Sequence, residues 1–341
     1  MTRGRALLAA LLVTLATPAT WPIALGTFLV RGGIVVVLLP IVVLPTTVGI
    51  GNTFGPTLQT VAFGSIPIEI IVVTASIGLG GLLWIIAGGW LAAALEAEGA
   101  RIVASDEDAT GPAAGPVAQP TGRVAARILT ARLLASLPLG VILALGSVRL
   151  VFATYRELTT PIDVATPIAV RVLGSAPEVV IAVIVAWTLA EIVGAVAARR
   201  IALTDAPVGA ALVHAVAVLL REPLSSLARF WLPWLVLLII LMPFARVADL
   251  GSGAVGSVLG DQDDPIGSLV TVVAFVGLWI IGLLLIAVVC AWRAAIWTVV
   301  EVAREGTFGG SANRRPGHWR LDRSSATLWP GRPWGRSRRR G

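Results

Sequence analysis

Residues 70–95, 179–198 and 269–291 are helix-length apolar runs, and each has a tryptophan well inside it: Trp84, Trp187 and Trp279. Only Glu191 places a charge within them. A helix rises about 1.5 Å per residue, so roughly 20 apolar residues cross the hydrocarbon core of a bilayer. Each run follows another apolar segment, at 33–50, 133–153 and 230–244, and precedes a charged one. That is a two-helix hairpin written three times. The expected fold is all-α: a polytopic transmembrane helical bundle, six spans as three tandem hairpins plus interfacial helices. It divides into an N-terminal interfacial or re-entrant helix (1–32), hairpin 1 (33–98), a cytoplasmic loop (99–132), hairpin 2 (133–200), a cytoplasmic interfacial helix (201–229), hairpin 3 with a cytoplasmic extension (230–305) and a basic disordered tail (306–341).

Composition agrees with lipid as the solvent. The 341 residues are 57% hydrophobic and 13% charged, where a soluble domain averages about 25% charged. All 26 basic residues are Arg. The net charge of +7 belongs to the tail: from Arg314 onward there are nine Arg and one acid, Asp322. Cys290 is the only cysteine, and His214 and His318 are the only histidines. An intrachain disulfide is excluded, and no metal, cofactor or catalytic constellation is expected. Gly78-Leu79-Gly80-Gly81 is no phosphate loop, because it lies within an apolar run and no Lys-Ser/Thr follows it.

Arginine placement sets orientation. Arg101, Arg123, Arg127 and Arg132 fall in 96–132; Arg199, Arg200, Arg221 and Arg229 fall in 199–229. The alternate loops 51–68 and 247–268 contain no basic residue, although 154–178 has Arg156 and Arg171. Both termini are expected on the cytoplasmic side of a bacterial cytoplasmic (inner) membrane. Residues 6–30 are uncharged and follow Arg3 and Arg5, as in a signal peptide or a seventh span. Pro18 and Pro22 interrupt that run, and only Arg31-Gly32-Gly33 separates it from the next, which favours an uncleaved interfacial or re-entrant helix. Residues 210–231 read as a second interfacial helix. Pro40, Pro45, Pro138, Pro233 and Pro243 predict kinks in the first helix of each hairpin.

Aligned on the tryptophans, the copies share small residues: Ala87, Ala190 and Gly282 three positions on, Ala92, Ala195 and Ala287 eight positions on. Ala182, Ala186, Ala190, Gly194 and Ala198 extend this to a row at spacing four, and Ser76, Gly80, Gly88 and Ala92 share another. Such rows let helix backbones approach closely, so the Trp-bearing helices are expected to pack together. Their starts carry Ser65-Ile66-Pro67-Ile68-Glu69, Ser175-Ala176-Pro177-Glu178 and Asp264-Pro265. These are helix-start signatures, and Ser175 with Glu178 has capping-box spacing.

Glu191 is the candidate ion or proton pathway residue. It lies on the order of 12 Å inside the boundary marked by Arg199 and Arg200, where a charge costs a few kcal/mol. Its bland alternative is a neutral acid bonded to a hydroxyl or carbonyl. Arg149 reads as a headgroup anchor, Arg156 and Arg171 as outer-surface residues, His214 as incidental, and Asp261-Gln262-Asp263-Asp264 as a solvated turn. In the tail, Arg314, Arg315, Arg336, Arg338, Arg339 and Arg340 are candidate contacts for anionic lipid headgroups; nucleic acid is not expected as a partner. A membrane-protein partner or a second copy of the chain remains open.

This layout of hairpins alternating with amphipathic helices resembles that of bacterial multi-pass proteins such as the membrane domain fused to some glycerophosphodiester phosphodiesterases. The resemblance is one of layout over much of the chain. No phosphodiesterase domain with metal ligands accompanies it, and no site transfers. The functional expectation is a non-catalytic membrane scaffold or accessory subunit; the alternative is a secondary transporter or channel using Glu191 in the bundle interior.

Overall fold

The computed structural model describes residues 3–38, 68–107, 121–160, 166–259 and 265–308, and these form helices with no strand among them. The chain divides into two units, Met1–Ala303 and Arg304–Gly341. Of the second, residues 304–308 are described and are helical. The packed apolar clusters all lie within the first.

Helix α1 (Arg3–Ala16) ends before Pro18, and α2 (Thr20–Phe28) leads through a π-turn, Leu29–Gly33, into α3 (Ile34–Leu38). Helix α4 (Ile68–Leu83) passes through a second π-turn, Trp84–Gly88, into α5 (Gly89–Glu107). The rest are α6 (Thr121–Thr159), α7 (Ile168–Gly174), α8 (Pro177–Thr204), α9 (Val208–Arg221), α10 (Pro223–Leu259) and α11 (Pro265–Phe308). Pro138 lies within α6, and Pro233 and Pro243 lie within α10. Pro177 opens α8 in its first turn, where its missing N–H has no intrahelical partner to lose.

Among the described residues, six stretches are long and apolar enough to cross a membrane: Thr20–Leu38, Ile68–Ser105, Gly122–Thr159, Pro177–Thr204, Pro223–Val247 and Ile266–Arg304. The first differs from the expected 33–50. The segment 1–32 is broken at Thr17-Pro18-Ala19, and its second half joins the following helix across a kink at Arg31 and Gly32. Residues 39–67, including Pro40 and Pro45, lie outside the described residues.

Exposure is inverted relative to a soluble protein. Ile77, Leu145, Ile239 and Ile266 are at least 70% exposed, and α4 buries none of its residues. The interior contains Ala93, Ala97, Ala125, Ala197 and Ala198 together with Glu96, Arg199, Thr298 and Glu301. Helices surrounded by apolar solvent gain little from hiding Leu or Ile; they gain from close backbone approach and from pairing polar groups.

The main core packs alanines of α5, α6, α8 and α9 around Ile128, Ile192 and Phe230. Ala92, Ala195 and Ala287, the shared positions eight residues after the tryptophans, are all buried. Ala186, Gly194 and Ala198 of the row that starts at Ala182 are buried too, whereas Ser76 and Gly80 of the other row are exposed. Gly194 marks a close approach: a Cβ there would lie 3.2 Å from Nη1 and 3.3 Å from Cγ of Arg132 on α6. Gly282 is similar, since a Cβ would collide with the ring of Phe244. The tryptophans themselves are not equivalent. Trp84 is 50% exposed, Trp187 sits edge-on to Phe230 and Trp234 at 5.3 Å, and Trp279 lies 5.3 Å from Phe244.

The expected capping box is absent. Ser175 donates its hydroxyl to the Val172 carbonyl at 2.9 Å and closes α7, so α8 starts from Ala176 without a side-chain cap. Glu178 instead accepts from Arg149 Nε at 3.1 Å.

Candidate functional site

The Trp-bearing helices do not stop where their apolar runs end. Helix α5 continues to Glu107, α8 to Thr204 and α11 to Phe308. Residues that look like loop flanks in the sequence therefore ride on continuous helices and face one another.

Glu96 on α5 is the hub. Its carboxylate accepts from Arg132 Nε at 2.9 Å and Nη2 at 2.6 Å, from Arg31 at the α2–α3 kink, and from Arg199 on α8. Its side chain is 5% exposed. Arg199 is fully committed: Nε donates to Thr298 Oγ1 at 3.2 Å and Nη2 to the Ala294 carbonyl at 3.4 Å, both on α11. Arg132 continues to Glu191, 3.5 Å from its Nη1. Glu191 also accepts from Arg293 Nη2 of α11 at 2.8 Å. The Arg293 guanidinium lies over Trp234 and Phe230, 5.1 and 5.7 Å from their ring centroids, an arrangement that favours a cation by ring electrostatics.

These six charges border a cavity of about 270 Å³. Its other walls include Ile23, Phe28, Val36, Leu95, Val103 and Trp234. Four arginines against two glutamates leave two positive charges in surplus among the lining residues. The donors are unevenly used. Arg132 and Arg199 are spent within the lattice, whereas among the described residues Arg31 donates only to Glu96 and Arg293 only to Glu191. Trp234, also on the wall, has a buried indole N–H with no acceptor among the described residues. That group can only donate. The arrangement offers cations and donors facing a small space, with the acceptors already taken.

Glu191 is thus no isolated acid. The structure brings it into the cavity wall, 22% exposed and paired with two arginines. His214, read as incidental, has its Nε2 3.1 Å from Glu301 Oε1, which is also 3.5 Å from Arg200. Arg171, expected on the outer surface, has a side chain only 10% exposed and lies 3.4 Å from Glu157. Arg127 donates to the Asp205 carboxylate and, at 2.8 Å, to the Asp205 carbonyl, closing the left-handed end of α8 where Asp205 has φ 55°. Arg314, Arg315, Arg336, Arg338, Arg339 and Arg340, and Asp261 to Asp264, lie outside the described residues. Among the described residues no three His, Cys, Asp or Glu side chains converge as a metal site requires.

Sequence reasoning missed Glu96, Arg31, Arg199 and Arg293 as a site because each stands just beyond an apolar boundary. Two signals were present. Glu96 and Arg199 both lie twelve residues after their tryptophans, opposite charges at matching positions. Arg31, Arg132 and Arg229 each stand immediately before the first apolar run of a hairpin, or one glycine away. Comparison with known proteins found no matching family model, no matching curated protein and no matching solved structure.

Proposed function

We propose that this chain is an integral membrane protein that binds an anionic solute in the arginine-lined cavity, as a carrier or receptor rather than a passive scaffold. Its six long apolar helices cross the bilayer as three hairpins, with the arginine-rich helix ends and both termini on the cytoplasmic side of a bacterial inner membrane. The carrying observation is the cavity, where Arg31, Arg132, Arg199 and Arg293 outnumber Glu96 and Glu191. A scaffold needs no such space. A cation or proton path through Glu191 is disfavoured by the same count, because guanidiniums repel the ion it would carry. Glu191 then serves as the internal anion that occupies Arg293 until a ligand competes for it.

The test is thermal unfolding of the protein in nanodiscs against a salt panel at constant ionic strength. A ligand that binds only the folded state raises its stability by about 2.7 kcal/mol at a hundred times Kd. Phosphate or another oxyanion should raise Tm in the native protein and not in Arg293→Gln. Equal response to all anions and all cations would refute the reading.

The scaffold alternative retains one supporting observation, the alanine-rich interior of α5, α6, α8 and α9. Homo-oligomer contacts would then be sought on the exposed face of α4.

A further inference from the structure

We propose that the cavity's ligand is a phosphate monoester carried on a short apolar chain, a proposal that rests on the anion-binding reading above. The lining surplus is two positive charges, and a phosphate monoester brings roughly −1.5 to −2 at neutral pH, where a carboxylate or sulfate ester brings one. The unused donors are guanidinium forks, Arg31 and Arg293, whose planar geometry matches phosphate oxygens.

The remaining wall sets the rest of the ligand. Its two threonine hydroxyls have already placed their protons: Thr27 donates to the Ile23 carbonyl at 2.8 Å and Thr20 to the Thr17 carbonyl at 2.8 Å, so they offer a ligand acceptor capacity alone. Ile23, Phe28, Val36, Leu95 and Val103 form an apolar stretch of wall whose side chains pair with no hydroxyl or ring nitrogen of a sugar or a nucleobase. A polar body placed there would lose its water without replacement, at about 1–3 kcal/mol per group. A volume near 270 Å³ is at the small end of ligand sites, so the chain is short or only its first part enters.

Isothermal titration of the full-length protein in phosphatidylcholine nanodiscs tests this with octyl phosphate, octyl sulfate, inorganic phosphate and octanol. Octyl phosphate should bind at least tenfold more tightly than each of the other three, and the preference over octyl sulfate should vanish in Arg31→Gln and Arg293→Gln. The sulfate comparison needs no variant, so it stands even if a substitution disturbs folding. Inorganic phosphate binding as tightly as octyl phosphate would overturn the apolar-chain assignment and leave the anion reading intact. Octyl sulfate binding equally would overturn the phosphate assignment. No binding by any anion would end both. Nanodiscs containing phosphatidic acid then separate the sources: competition with octyl phosphate assigns a lipid headgroup, and its absence assigns a soluble ester.

Discussion

Glu96 has the largest consequence of any single side chain. Three guanidiniums converge on one carboxylate that is 5% exposed. Replacing it with Gln keeps the shape and removes the charge, leaving buried cations uncompensated, which costs about 3–5 kcal/mol when one partner of a buried pair is lost. Glu96→Gln should therefore lower unfolding stability in bicelles by that amount. Glu98→Gln, on the exposed side of the same helix and 3.7 Å from Arg101, should change it by less than about 0.5 kcal/mol. Comparable effects at both positions would show that the lattice does not hold the bundle together. Glu191→Gln should fall between them, because its side chain is more exposed and it has two partners.

Among the helices, two glycines decide the geometry of the site. Gly32 has φ 97°, and the kink it permits swings Arg31 from the axis of α2 toward Glu96. Gly32→Ala places a Cβ in the left-handed region, at about 1–2 kcal/mol, and should weaken anion binding as well as stability. Gly194→Leu should separate α6 from α8 by crowding Arg132, while Gly140→Ala, with open space around it, should be tolerated; unfolding midpoints of the two variants check this. The number of long apolar helices was readable from apolar length alone, because lipid forces backbone polar groups to pair within each segment. The site was not, because an apolar run ends where lipid ends, whereas the helix ends where its backbone is capped. Arg127 and Asp205 close α8 at residue 205, well past the end of its apolar run at residue 198. Ser175 misled for a related reason: a serine before a proline can finish one helix as readily as it starts another.

For the bundle as a unit, orientation is the claim most open to direct measurement. In a Cys290→Ser background, Ala126→Cys and Thr160→Cys place single thiols at exposed positions near opposite ends of α6. A membrane-impermeant maleimide applied to intact cells should label the second and not the first. The reverse pattern would invert every assignment of side, and with it the direction from which a ligand enters. The arginine lattice also bears on how such a chain is made. In order of synthesis its members appear as Arg31, Glu96, Arg132, Glu191, Arg199 and Arg293. Each acid is preceded by an arginine that later holds it: Arg31 before Glu96, Arg132 before Glu191. In order of synthesis, each lattice carboxylate thus follows an arginine that pairs with it in the folded bundle, and the running charge of the six never falls below zero.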